Sequence, residues 1–318
     1  MLLSPEASRV TALLARAVPA MREERKVLAL ALTSVGALLG ATAGALYGYR
    51  RGTGTLHKVK SFRAGAEPGS APWDLETIMS FYRNERPHLE PDVVMAPVRA
   101  GTDVVGVLAL WRDRPFEAGA GKSATEILRI VGGMLGARRR ISLLEAEASV
   151  ARAMARGCAP RDVAYRIFHH LRRFLDYDHG ATLVERIDDS NVGVVARQVA
   201  WAKGKSSIIG RQFWVAWPQL AGAAGTARIL QGVDIASAPW TAVGALREEG
   251  SPAKRGSIIA VLEARGLPLG FVEVASSREA FFREGDAAVV EAFKPYLAWC
   301  LEGWLRPPSH DGQILRSS

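Results

Sequence analysis

Cysteine is scarce in this sequence, with only Cys158 and Cys300 among 318 residues. Neither has another Cys or a His nearby at metal-ligand spacing, so we predict no disulfide framework, no metal site and no cofactor. The first ten residues, MLLSPEASRV, also lack the charged start, apolar run and small-residue cleavage site of a secretory signal. We therefore expect a cytoplasmic protein.

Acidic residues are outnumbered by basic ones, 32 against 41, which gives a formal net charge of +9. Such an excess would suit nucleic acid, an anionic membrane surface or an acidic protein. The basic residues are scattered, however, and no nucleic-acid-reading motif is present, so we predict no nucleic-acid partner. The length is sufficient for two domains of ordinary size.

Charge is absent from residues 27–49, VLALALTSVGALLGATAGALYGY. This run is long enough to cross a bilayer, and its glycines are spaced four apart, as on a close-packing membrane helix. A buried helix through about Leu39, a turn, and a strand from about Gly44 would be equally free of charge. Each glycine in a helix of a soluble protein would cost about 1 kcal/mol relative to alanine, which argues against one continuous soluble helix. We favour helix, turn and strand over a membrane span because of a repeat in the sequence.

An internal repeat supports that choice. The stretch LGATAGALYGY at 39–49 returns as LDYDHGATLVE at 175–185. The second copy holds Asp176, Asp178 and His179 where the first has small residues, which indicates a solvated turn and not the middle of a membrane span. In each copy a strand, a polar hairpin tip and a second strand follow.

A hairpin pattern is repeated further along the chain. The segment VVMAPVRAGTDVVGVLALW at 93–111 returns as SIIAVLEARGLPLGFVEVA at 257–275, with Gly106 aligned to Gly270. Each consists of two apolar runs joined by a short turn that contains glycine, and a helical pattern follows each. The order helix, strands, hairpin, helix occurs twice and predicts an α+β fold with antiparallel sheets.

This order of elements resembles a GAF domain, a ligand-sensing relative of the PAS fold. The resemblance is carried by the first-strand segments LGATAGALYGY and FLDYDHGATLVER, the hairpin ends GVLALW and GFVEVA, and the step from Phe282 to Asp286 before the last helix. It implies two GAF-like domains, at 10–143 and 150–305, each with a central antiparallel sheet flanked by helices. It also implies a long helix that joins the domains and a polar tail at 306–318.

Residues that specialised GAF members use are mostly missing. Cyclic-nucleotide-binding members tend to show an Asn-Lys-Phe-Asp-Glu constellation, of which only Phe282 and Asp286 are matched, with Ala287 in place of Glu. Bilin attachment and methionine sulfoxide reduction need pocket cysteines, and neither cysteine falls in the predicted sheets. A haem would need a pocket His, for which His57 and His179 are candidates, although exposed turn positions are the favoured interpretation.

The segment GAGKS at 119–123 follows a strand and opens a helix, where a phosphate-binding loop would lie. The Walker pattern requires glycine at position 116, which is Phe116, and the second copy has REGDA in the corresponding place. We therefore interpret the segment as a strand-to-helix turn. A nucleotide-binding enzyme that uses GAGKS remains the less favoured alternative to a non-catalytic protein.

A heptad-like apolar pattern runs from Ser123 to about Arg156, without proline. Its steps of three and four residues predict a helix that pairs with a second copy of the chain. The alternative is that the first half packs on its own sheet and the second half on the next domain. The predicted dimer residues are Ile127, Ile130, Met134, Ile141 and Leu144, and Ala137, Ala148 and Ala151 continue the pattern.

The second copy has an aromatic-rich middle segment, a composition typical of small-molecule pockets. The predicted ligand-binding residues are Arg197, Trp201, Phe213, Trp217 and Trp240, with Arg197 suited to an anionic group. We expect a non-catalytic sensor of bacterial-type signal transduction that binds an unidentified small molecule. Its state would pass through the connecting helix to a homodimer or to an output protein such as a kinase or phosphatase. The alternative is a ligand-free GAF scaffold for protein contacts.

Overall fold

A computed structural model of the chain describes most of the predicted elements. The described residues are 5–17, 24–50, 55–63, 75–84, 88–101, 103–177, 180–186, 193–201, 212–214, 225–231, 255–278 and 281–305. The chain divides into two compact units, Met1–Ser142 and Leu143–Ser318. Both are mixed α/β units with antiparallel sheets, as expected from the sequence.

Unit 1 contains a sheet in the order β2-β1-β5-β4-β3. Its helices are α1 (Pro5–Ala17), α2 (Glu24–Leu38) and α3 (Leu75–Asn84), and its strands are β1 (Ala43–Arg50), β2 (Thr55–Arg63), β3 (His88–Leu89), β4 (Val93–Ala100) and β5 (Asp103–Trp111). The long helix α4 (Ala120–Ala155) follows, and the division between the units falls within it.

The uncharged run at 27–49 forms helix, turn and strand, so that prediction is confirmed. Helix α2 ends at Leu38, Gly40 adopts a left-handed φ of +60°, and β1 begins at Ala43. Gly44 is needed for close packing, since a Cβ there would lie 2.6 Å from the Phe62 ring. No helix in the described part of the chain is long and apolar enough to cross a membrane.

Unit 2 contains a sheet in the order β8-β7-β6-β11-β10-β9. Its helices are α5 (Pro160–Leu175) and α6 (Glu284–Leu305), and its strands are β6 (Gly180–Arg186), β7 (Gly193–Trp201), β8 (Gln212–Trp214), β9 (Arg228–Gln231), β10 (Gly256–Ala264) and β11 (Leu267–Ser276). Edge strand β9 is held to α6, because Lys294 Nζ donates to the carbonyl oxygen of Gly225 at 2.6 Å and Ala227 N–H donates to the Glu291 carboxylate.

The two predicted hairpins have matching registers. In the first, Met95 lies opposite Ala109, and in the second, Ile259 lies opposite Glu273. Each also has a register shift at the same place, between Val98 and Arg99 in one and between Leu262 and Glu263 in the other. A bulge is a specific local feature, so its recurrence supports the repeat found in the sequence.

The step from Phe282 to Asp286 opens the last helix, as predicted. Asp286 accepts a hydrogen bond from the N–H of Arg283 at 2.8 Å through Oδ2, while Phe282 is buried in the core of unit 2. A side chain three residues into a helix that reaches back to the capping residue satisfies one of the unpaired N–H groups there. The aspartate therefore fixes where α6 begins.

Candidate functional site

The hairpin β10/β11 presents two different faces. One packs into the main core of unit 2 with α5 and α6, through Ile258, Ala260, Leu262, Val272 and Val274. Because side chains alternate along a strand, the intervening residues lie on the opposite face, which we call the Glu273 face. Its members on these two strands are all buried: Ser257, Ile259, Val261, Phe271, Glu273 and Ala275.

A polar pair lies on the Glu273 face, near the end of the hairpin where β10 begins and β11 ends. Ser257 Oγ donates a hydrogen bond to Glu273 Oε1 at 2.8 Å. The residues are diagonal neighbours, since Ser257 pairs with Ala275 and Glu273 with Ile259, and such positions are within reach of a long side chain. Only 1% of Ser257 and 4% of Glu273 are exposed, so the carboxylate lies inside the unit.

The corresponding face of unit 1 is apolar. In the aligned hairpins, Val93 takes the place of Ser257 and Ala109 takes the place of Glu273. Both belong to a cluster that includes Ile78 and Phe81 of α3. Hydrophobic side chains, tyrosines included, therefore serve the same place in the fold of unit 1, and the Ser257–Glu273 pair distinguishes unit 2.

The predicted ligand-binding residues lie partly within the described sheet of unit 2. Arg197 lies on β7, between Ala196 and Gln198, which pair with Val184 and Leu183, so it is the extra residue of a bulge. Trp201 ends β7, and Phe213 lies in β8. Trp217 and Trp240 fall outside the described residues. The strand position of Arg197 is confirmed, and the ligand-binding role of all five residues stays a prediction.

The predicted dimer residues of α4 separate into two groups. Ile127 is fully buried in a core of unit 1, so it is not available to a partner helix, and the dimer assignment is corrected at that position. Ile130 is half-buried, and Met134 packs against the same core. Ile141 and Leu144, in contrast, are 56% and 62% exposed. Of the predicted dimer residues, Ile141 and Leu144 are therefore the ones most exposed to a partner helix.

The GAGKS segment forms the turn into α4. Gly119 has a left-handed φ of +95°, and Ser123 N–H donates to its carbonyl oxygen at 3.0 Å. Ala120 N–H donates to the carbonyl oxygen of Glu117, also at 3.0 Å. Phosphate loops use N–H groups at this point of the helix to hold phosphate oxygens, whereas these two are already bonded within the chain.

Attachment of a bilin or a haem would depend on Cys158, Cys300, His57 or His179. Burial raises the pKa of the Cys300 thiol to about 12, although a hydrogen bond with the Ala164 backbone acts in the opposite direction. Cys158 is half-buried, as is His57 on β2, and His179 is outside the described residues. Among described residues, no group of three or more His, Cys, Asp or Glu side chains could hold a metal ion.

The burial of Ser257 and Glu273 was not predicted from the sequence. A glutamate in an apolar strand is usually predicted to lie on a solvated face of the sheet. Alternation along the strand does not show whether that second face is covered. The aligned repeat held a signal nonetheless. The two copies of this strand pair differ in polarity at one place. The first copy has Val93 and Ala109 there, and the second has Ser257 and Glu273.

Comparison with known proteins finds similarity at the level of the fold. No protein-family model matches it, and no curated protein matches it by sequence. Bacteriophytochrome RpBphP3 from the photosynthetic bacterium R. palustris is 11% identical and has a TM-score of 0.51, over 95% of this chain and 77% of that chain.

Two isolated GAF domains are also similar in structure. The phycocyanobilin-bound GAF domain of a cyanobacterial phytochrome is 11% identical over 51% of this chain and 96% of its own, with a TM-score of 0.41. The GAF domain of an Acinetobacter phosphoenolpyruvate-protein phosphotransferase is 13% identical over 44% of this chain and 98% of its own, with a TM-score of 0.35. The structural neighbours include GAF domains, and the resemblance predicted from the sequence is confirmed at the level of the fold.

Proposed function

We propose that this chain is a non-catalytic, cytoplasmic sensor of bacterial-type signal transduction, with two GAF-like domains. Unit 2 binds a small molecule, and α4 passes the bound state to a homodimer or to an output protein such as a kinase or phosphatase. Arg197, Trp201, Phe213, Trp217 and Trp240 are the proposed ligand contacts.

The observation that carries this proposal is the course of α4. The helix is 36 residues long, and its early residues Ile127, Leu128 and Val131 belong to a core of unit 1. Its later residues Ala146 and Val150 belong to the core of unit 2. One continuous helix therefore supplies residues to the core of each unit, and this supports the proposal that it passes the bound state.

Two enzymatic alternatives have less support. A nucleotide-binding enzyme needs free N–H groups at GAGKS, and those of Ala120 and Ser123 are engaged. A redox enzyme needs a reactive thiolate, and the pKa of about 12 keeps the Cys300 thiol protonated at neutral pH. Lys122→Ala with unchanged nucleotide binding would remove the first alternative. Replacing both cysteines without loss of activity would remove the second.

Native mass spectrometry of the freshly purified full-length protein tests the proposal. We expect a peak heavier than the chain by the mass of a retained small molecule, which is released on denaturation. A chain mass with nothing added, in preparations from several growth conditions, would favour the ligand-free scaffold.

A further inference from the structure

The exposed face of α4 carries an apolar heptad pattern. Ile141 and Leu144 are 56% and 62% exposed, and Ala148, Ala151 and Ala155 continue the stripe in exposed positions. If heptads abcdefg are counted from Ile141 as position a, Ala148 also falls at a, while Leu144 and Ala151 fall at d. A β-branched residue at a combined with leucine at d favours a parallel pair of helices.

The stripe is directed away from the core of unit 2. Ala146, Val150 and Ala153 of the same helical segment are buried in that core. Because an α-helix has 3.6 residues per turn, these three residues lie on the side opposite to Ile141 and Leu144. Packing within unit 2 therefore does not occupy the stripe.

Charged residues flank the stripe on both sides. Arg140 and Glu147 fall at g positions, and Glu145 and Arg152 fall at e positions. Three of these residues are exposed, and Glu147 is partly buried. Along each flank the sign changes from one heptad to the next. In paired helices the e and g residues meet across the apolar seam, and their charges determine the choice of partner and its orientation.

Charge complementarity distinguishes the two orientations that a pair of α4 helices can take. In a parallel pair in register, each g residue meets the e residue of the next heptad, so Arg140 meets Glu145 and Glu147 meets Arg152. Both contacts join opposite charges. In an antiparallel pair with superposed stripes, Glu145 and Glu147 each meet the same residue of the second copy, and Arg138 meets Arg152. These contacts all join like charges, which repel.

We propose that α4 pairs with α4 of a second copy of this chain as a parallel, in-register coiled coil, in which the Arg140–Glu145 and Glu147–Arg152 contacts fix the orientation. This inference rests on the proposed function, since it specifies how the homodimer forms. A parallel pair brings the same end of α4 together in both copies. A change of packing at that end therefore acts on both helices at the same place.

Disulfide cross-linking of the full-length protein tests the orientation. Cys158→Ser removes the half-buried native thiol beyond the end of α4, and Ala151→Cys then adds one thiol to the stripe. In a parallel pair position 151 meets itself. In the antiparallel pair it meets position 141, and the two added thiols are about 15 Å apart along the helix axis, too far for a disulfide. We expect a covalent dimer after mild oxidation, and none in Cys158→Ser alone.

Charge reversal tests the flanking contacts. In sedimentation equilibrium, Glu147→Arg should self-associate about tenfold more weakly than the wild type, because like charges then replace both Glu147–Arg152 contacts of the pair. Addition of Arg152→Glu exchanges the charges and should restore the wild-type affinity. Glu117→Arg makes the same change of charge at an exposed residue before α4 and should associate as the wild type does.

Orientation and dimer formation can fail separately. A disulfide that forms in a mixture of Ile141→Cys and Ala151→Cys chains, but not with Ala151→Cys alone, would overturn this inference and leave the homodimer intact. A charge-exchanged variant that is folded by circular dichroism but associates as weakly as Glu147→Arg would also overturn it. A wild type that stays monomeric at every accessible concentration would instead refute the homodimer itself.

Discussion

At the residue scale, two adjacent glycines in α4 differ in whether a side chain would fit at their position. A Cβ on Gly132 would clash with the carbonyl oxygen of Arg99, so the helix backbone packs directly against the backbone of strand β4 there. A Cβ on Gly133 would meet nothing within 4 Å. The first glycine is required by packing, and the second is tolerated at the usual helical cost.

Alanine substitution should therefore separate them. We expect Gly132→Ala to destabilise unit 1 by about 1–3 kcal/mol, the usual range for overpacking. Gly133→Ala should stabilise it by up to about 1 kcal/mol, because alanine is the better helix former. The midpoint of urea unfolding, followed by circular dichroism, measures both. Equal midpoints for the two variants would contradict the described contact between α4 and the hairpin.

His170 predicts a pH dependence of stability. Burial lowers its pKa below the ordinary value of 6.5, and the positive charges of Arg173, Arg166 and His169 lower it further. Its ring stacks on Phe293 of α6, with centroids 6.0 Å apart. Because the folded state favours the neutral ring, its contribution is fully present above pH 6.5 and is lost as the pH falls through the lower folded pKa.

We expect the free energy of unfolding to fall as the pH decreases below 6.5, with a steeper slope in the wild type than in His170→Gln. Chemical unfolding at a series of pH values measures the two slopes. If they are parallel across that interval, the neutral form of His170 is not favoured by folding.

At the scale of elements, α4 carries an exposed apolar stripe. Ile141 and Leu144 are more than half exposed, and Ala148 and Ala151 continue the stripe in exposed positions at steps of four and three. Such spacing suits pairing of two helices over several turns. A second copy of the chain is the proposed partner.

We expect Ile141→Glu combined with Leu144→Glu to convert a dimer to a monomer in sedimentation velocity, because four buried carboxylates would repel one another in the pair. Leu267→Glu is the matched control, since Leu267 is 68% exposed but lies at the start of β11. A wild type that stays monomeric at every accessible concentration, or a double variant that stays dimeric, would contradict the pairing.

The sequence could predict the helices and strands better than it could predict what packs against them. Glycine after the end of α2 and the paired apolar runs of the hairpins are local signals, and both led to the observed elements. Ile127 shows the limit, because a core-facing helix stripe and a dimer seam share steps of three and four. Glu273 shows another, since its burial depends on what covers the second face of a sheet. Residue spacing shows neither what packs on an apolar helix stripe nor what covers the second face of a sheet.

At the scale of the whole molecule, the central claim is that α4 carries the ligand state of unit 2. The helix residues Ala146, Val150 and Ala153 belong to the core that also includes the hairpin β10/β11. A ligand bound by unit 2 would act on these residues through that shared core. Small shifts at a binding site become changes elsewhere where a packed core has two discrete arrangements.

Hydrogen–deuterium exchange tests this claim most directly. The full-length protein would be compared with its retained small molecule bound and after removal of that molecule by unfolding and refolding. We predict that loss of the ligand increases amide exchange in residues 141–155 of α4 as well as in β10 and β11. Identical exchange along α4 in the two forms, with a change confined to the sheet, would contradict the account.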